Sequence, residues 1–139
     1  MALIIDLKPS ERLIVGSALI TNDDARTRLH IEGTAPILRE KDIMLEGEAD
    51  TPCKKIYFTV QLMYISPDAR ANHGTYFNLI RDMVTAVPNA WPIIEGINNH
   101  ILNGDLYQAL KECKKLVAYE KTLLDQIEEL NSRNVSSAA

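Results

Sequence analysis

The sequence predicts an α+β fold: a small antiparallel β-rich unit of about five strands in residues 1–66, followed by about three α-helices in residues 67–130. Two observations carry this reading. Apolar residues recur with a period of two from Leu3 to Ile65, and with helical spacing after Ser66. A third observation sets the end of the fold, because NSRNVSSAA offers nothing to bury and predicts a flexible tail over residues 131–139.

LIIDL, residues 3–7, opens the β-rich unit and is closed by Lys8-Pro9-Ser10, where proline cannot donate to a ladder. ERLIVGSALI reads as a strand ending at the turn TNDDA, whose Asn22 and aspartates tolerate tight backbone geometry. In RTRLHIEG, Thr27, Leu29 and Ile31 project to one side and Arg26, Arg28, His30 and Glu32 to the other, so the outer face is basic. APILR, near residue 38, supplies another short strand. KKIYFTVQLMYI places Ile56, Phe58, Val60, Leu62 and Tyr64 on one face, and its β-branched and aromatic content predicts the longest strand.

Ser66-Pro67-Asp68 then reads as a helix start, with a serine cap and proline at the first helical position. Tyr76, Leu79, Ile80, Met83, Val84 and Val87 recur at helical spacing until Pro88. A shorter helix follows Pro92, carries Ile94, Ile97 and Ile101 on one side, and ends at Asn103-Gly104. Asp105 and Gln108 have capping-box spacing at the start of a third, whose apolar stripe runs Leu106, Leu110, Cys113, Val117, Leu124 and Ile127, interrupted by charge near Glu120.

Several function classes are excluded or weakened by the same sequence. The longest nearly unbroken apolar run, LIVGSALI, is too short to cross a bilayer, and the N-terminal residues lack the features of a secretory signal, so a cytoplasmic protein is expected. Cys53 and Cys113 lie outside any CxxC or Cys/His cluster, which predicts two reduced thiols. No P-loop, GxGxxG, GxSxG, HExxH or EF-hand spacing is present. His30, His73 and His100 fall in three different elements, and Glu46, Glu48 and Asp50 lack the further oxygen ligands of a calcium loop. Neither an enzyme nor a metal or cofactor site is expected. A net charge of −4 argues against a surface that binds nucleic acid by charge everywhere, leaving room for a local basic patch.

Three basic groupings supply such a patch: Arg26 and Arg28 on the outer face of a strand, Arg39-Glu40-Lys41 with Lys54-Lys55 around an acidic connection, and Lys111, Lys114 and Lys115 on one helix face. The middle grouping also carries a resemblance. LREKDIM followed by TPCKKIYF, with LKPSERLIVGSALITN before and LYQALKECKKLVAYE after, resembles the FlbT family of flagellum biosynthesis repressors over about residues 3–124. The chain departs from that family's pattern at Cys53-Lys54-Lys55, where a small residue and two arginines are expected. LIIDLKPSERLIVG and GTAPILREKDI are similar to the opening and closing strands of the carbon storage regulator CsrA, making residues 1–66 a CsrA-like subdomain. In that comparison Lys8 and Arg39 take two basic RNA-gripping positions, Leu38 stands for a histidine, and Leu7 stands where a second basic residue is expected.

The first resemblance implies a post-transcriptional regulator, a repressor in some members and an activator in others, that associates with the 5′ untranslated region of flagellin mRNA and alters its stability and translation. It also implies links to a FlaF-like protein and to flagellin. Residue reading and resemblance meet on one surface: Lys8, Arg26, Arg28, Arg39, Lys41, Lys54 and Lys55 as phosphate contacts, Tyr57 as a stacking face, and the acids at 46–50 as a repulsive rim. The competing expectation is a protein-interaction module whose helices, including Trp91 and Tyr107, bind flagellin, a FlaF-like protein or a second copy in a homodimer. No membrane partner is expected.

Overall fold

The computed structural model describes residues 2–137, and side chains as far as residue 133. Five strands come first: β1 (Leu3–Leu7), β2 (Arg12–Val15), β3 (Ala18–Thr21), β4 (Thr27–Ile31) and β5 (Ile37–Arg39). β1 pairs with β4 in one antiparallel sheet, and β3, β2 and β5 form a second in that order. The segment ERLIVGSALI is a hairpin and not a single strand, because Gly16 adopts φ +61° and turns the chain between β2 and β3.

The two sheets face each other across Ile5, Leu7 and Leu13, with Leu29, Ile31 and Ile37 packed around them. Leu29 and Ile31 therefore point inward, while Arg28 and His30 stay exposed as their alternation predicts. In the second sheet β2 and β5 are covered on both faces, while the edge strand β3 is largely exposed. Leu13 points to the small inter-sheet core, and its neighbour Ile14, together with Leu38 of β5, points to the larger helical core. Consecutive buried residues in β2 follow from this central position, giving three layers: two strands, three strands, helices.

Four helices follow: α1 (Pro52–Ile65), α2 (His73–Ala86), α3 (Trp91–Leu102) and α4 (Leu106–Ser137). The segment KKIYFTVQLMYI, expected to be the longest strand, is the body of α1. Its period-two pattern arises because the helix is buried on most sides: Cys53, Ile56, Tyr57, Val60 and Met63 are at most 4% exposed, and so are Thr59 and Gln61. A helix surrounded by protein needs no polar face, so the 3.6-residue signal disappears. Thr51 caps this helix, its hydroxyl accepting from Lys54 N at 3.3 Å, and Pro52 occupies its first position. The helix start read at Ser66-Pro67 is instead the end of α1 and a short 3-10 turn, and α2 begins at His73.

α2 contributes Tyr76, Ile80 and Met83 to the core, α3 contributes Ile94 and Ile97, and α4 contributes Ala109, Leu110, Cys113 and Leu116. The Tyr76 hydroxyl donates to the Asn98 side chain and ties α2 to α3. Asp105 accepts from Gln108 N at 3.4 Å at the start of α4. Leu124 and Ile127, assigned by spacing to the buried stripe, are 49% and 53% exposed. Among the described side chains, none beyond Glu120 is buried, and helical backbone continues through residues 131–137, where a tail is expected. Residues 138–139 lie outside the described residues.

Glu120 itself is only 8% exposed, although it reads as an interruption of the stripe. Its carboxylate accepts from Cys53 N at 3.0 Å and from the Thr51 hydroxyl, placing an anion at the positive end of α1. Removing it leaves a buried amide and hydroxyl unpaired. We expect Glu120→Ala to lower the unfolding free energy by about 2–4 kcal/mol, read as a reduced urea midpoint at unchanged slope. The Glu120→Gln variant retains an acceptor oxygen and should lose less.

Candidate nucleic-acid interface

The chain from β5 to α1 has little regular structure beyond that strand, and its path, from the first residue of β5 onward, is held by side chains that reach its backbone. Tyr64 donates its hydroxyl to Ile37 O at 3.1 Å, and Tyr57 donates to Asp42 O at 2.5 Å. The Gln61 amide makes a matched pair with Met44, accepting from its N–H at 2.8 Å and donating to its carbonyl at 2.9 Å. All three anchors come from α1. From α4, the Lys114 ammonium pairs with the Asp42 carboxylate, which is almost wholly buried. From β2, Arg12 bonds Glu40 at 3.0 Å. With Leu38 and Asp42 fixed inward, Arg39 and Lys41 stand out into solvent.

Lys41 is the common wall of three adjoining concavities. One, of about 520 Å³, is completed by Lys8, Pro9, Ser10, Glu11 and Glu40. The second, of about 480 Å³, is lined by Arg39, Asp42, Tyr64 and Tyr107, with Leu3, Ala35 and Ile37. The third, of about 260 Å³, lies between the connection and the helices, against Glu48, Lys54, Tyr57 and Lys114. These adjoining concavities make up a groove around Lys41 whose linings include Lys8, Arg39, Lys54 and Lys114.

The structure therefore unites Lys8, Arg39, Lys41 and Lys54, and leaves the other expected cations elsewhere. Arg26 and Arg28 line a separate concavity with Asp6, Leu7 and Thr27. Arg28 faces Asp6 across the β1–β4 ladder and bonds it at 3.0 Å. Lys55 is exposed on α1 and lines none of these four concavities. Tyr57, expected from strand alternation to offer a solvent-facing ring, turns inward because the segment is helical; it is 4% exposed and spends its hydroxyl on Asp42. Another tyrosine ring, that of Tyr107 on α4, lines the groove instead. Tyr107, Lys111 and Lys114 are spaced i, i+4, i+7, one face of α4. Lys111 Nζ lies 5.0 Å from the Tyr107 ring centroid, and Tyr64 stands beside that ring at 5.7 Å with a 45° tilt.

Charge pairing sorts these cations. Lys54 bonds Asp50 at 3.3 Å in an exposed pair worth at most about 1 kcal/mol. Lys8, Arg39, Lys41 and Lys111 form no ion pair among the described residues. Glu46, Glu48 and Asp50 lie on the connection leading to α1, beside the Lys54 end of the groove. The cysteines take no part in this surface. Both are free and buried, Cys53 with its pKa raised to about 12 by burial and then by Glu120, and Cys113 raised by burial and then by Cys53. Burial also raises Tyr57, with the Asp42 charge adding to it. Among the described residues no group of three or more His, Cys, Asp or Glu side chains converges as metal ligands would, and no helix is long and apolar enough to cross a membrane.

Residues 3–124 match the family model described as flagellar protein FlbT, a span that holds every groove residue. The chain is a member of the FlbT family. Among the FlbT proteins it resembles, "Probable flagellum biosynthesis repressor protein FlbT 1" of Bradyrhizobium diazoefficiens is 59% identical across the whole of both chains. A Rhodopseudomonas palustris FlbT is 46% identical over 91% of this chain and all of that protein. The Caulobacter vibrioides "Flagellum biosynthesis repressor protein FlbT" is 31% identical over 91% of this chain and 92% of that one. No solved structure matches the chain significantly.

The raised thiols of this FlbT protein have a measurable consequence. Unfolded cysteines titrate near their ordinary value of 9.0, whereas the folded Cys53 keeps its proton to about pH 12. Above pH 9 the unfolded chain binds fewer protons than the folded one, so stability is complete below that pH and falls as pH rises toward 12. Urea midpoints measured from about pH 7 to about 10.5 should decline above 9, and Cys53→Ala with Cys113→Ala should flatten the early part of that decline.

Proposed function

We propose that this protein regulates flagellum biosynthesis after transcription, as a repressor, by holding the 5′ leader of flagellin mRNA in the groove centred on Lys41. The observation that supports this is the convergence of Lys8, Arg39 and Lys41 on adjoining concavities, with Lys111 held over the Tyr107 ring that lines one of them, and no ion pair among the described residues to neutralise these four cations. Single-stranded RNA is bound by such tracks because each phosphate contact releases condensed counterions. The acids of the connection and the net charge of −4 keep the affinity modest and strongly dependent on salt. Arg39 adds a planar fork to a phosphate, which the lysines around it cannot.

Four phosphate contacts predict a slope of about −3 in log K against log salt, at about 0.7 per contact for single strands. Purified protein titrated with its own flagellin leader, against a scrambled RNA of equal length, measures this. Arg39→Ala with Lys41→Ala should weaken binding and reduce the slope by about 1.4. Unchanged binding by that double variant would remove the groove from the mechanism.

A second reading rests on a different observation. Leu124, Ile127 and Leu130 are exposed on the later turns of α4, and Phe77, Trp91 and Leu102 on α2 and α3. These apolar residues favour a protein partner, either flagellin or a FlaF-like protein, with an indirect effect on the message. Direct titration with purified flagellin, in a preparation that gives no shift with leader RNA, separates the two.

A further inference from the structure

The middle concavity of the groove differs from a simple phosphate track. Its volume of about 480 Å³ falls in the range that accommodates a small organic group, and two tyrosines form part of its wall. Tyr64 is fixed, because its hydroxyl is committed to Ile37 O. Tyr107 is partly buried, and its hydroxyl has no hydrogen-bond partner among the described residues. Over its ring sits the ammonium of Lys111, on an exposed and flexible stem. Arg39 and Lys41 line the concavity together with Tyr107, and Lys111 meets it only through that ring.

We propose that this concavity is a nucleobase subsite, in which one unpaired base of a single-stranded RNA stacks on Tyr107 while Arg39 and Lys41 hold the adjoining phosphates. The proposal rests on the RNA-binding reading above and adds what that reading lacks, a contact to a base. The physical argument is substitution of like for like. A cation held over an aromatic face marks where that face is open and electron-rich, and an exposed cation–π contact is weak enough to be exchanged for a stacked base. Lys111, displaced from the ring, remains within reach of the backbone that the base brings with it. Tyr64 then acts as a side wall, positioned by the same hydroxyl that pins Ile37. Stacking of this kind tolerates any base but requires that the base be splayed from its neighbours, which restricts the ligand to loops and single strands.

The test compares a short unstructured RNA oligomer with an abasic ribose-phosphate oligomer of the same length and charge. The folded wild-type protein should bind the base-bearing strand about tenfold more tightly, with the same salt slope for both. Tyr107→Ala should bring the two within about twofold, and Tyr107→Phe, which keeps the ring, should restore the preference. Equal affinity of the wild type for both strands, each with a slope near about −3, would overturn the base subsite and leave the phosphate track standing. A preference that survives Tyr107→Ala would overturn the assignment to this ring. Failure of both strands to bind would remove the groove reading and the subsite with it.

Discussion

The burial of α1 is the constraint on which the rest of the molecule depends. This helix lies between the central sheet and the other helices, and its first turn ends on a carboxylate supplied by α4. Sequestering a helix terminus away from water leaves amides that need an acceptor, and Glu120 provides one together with a favourable charge at the positive end of the helix dipole. Once α1 is seated, the side chains of Tyr57, Gln61 and Tyr64 reach the preceding connection at successive turns and define where it runs. The groove is thus a product of helix packing, although several of its cations lie on strands and loops.

Much of this is legible in the sequence, and the parts that are not share a physical cause. The inward and outward residues of RTRLHIEG, the isoleucine face after Pro92 and the stop at Asn103-Gly104 all follow from one-sided burial, where polarity reports geometry directly. α1 and β2 violate that condition because protein covers more than one side of each. In IYFTVQLMYI the alternation of large and small or polar residues mimics a pleat, yet Gln61 and Thr59 are nearly as buried as Ile56. A better signal is present in Thr51-Pro52, the same kind of cap and first-turn proline that points to a helix at Ser66-Pro67. Treating the segment as a strand sends Tyr57 outward and hides the α4 stripe of Tyr107, Lys111 and Lys114, since those residues gain meaning only when the connection is laid beside α4. Glu120 is unreadable for a related reason: a lone acid in an apolar stripe reveals its purpose only when a distant helix start arrives next to it.

An anionic chain reconciles its net charge with a cationic groove by division of labour among its acids. Asp42, Glu40 and Asp6 are engaged by Lys114, Arg12 and Arg28, so they neutralise cations away from the open track or at its floor. Glu120 is consumed by the fold. Lys8, Arg39, Lys41 and Lys111 keep their charge available because no described acid pairs with them, whereas Lys54 is held by Asp50 in an exposed pair, and the low overall charge limits attraction to polyanions elsewhere on the surface.

The grip of α1 on the connection has an evolutionary corollary. Its three attachment points are the carbonyls of Ile37 and Asp42 and both backbone groups of Met44, atoms that nearly every amino acid at those positions would present. The route of this segment is consequently insulated from the identity of most residues along it. Exposed positions such as 39 and 41 are free to exchange one charge for another, or lose it, without altering the shape of the channel they border, so that affinity for a polyanion can be adjusted by selection independently of foldability.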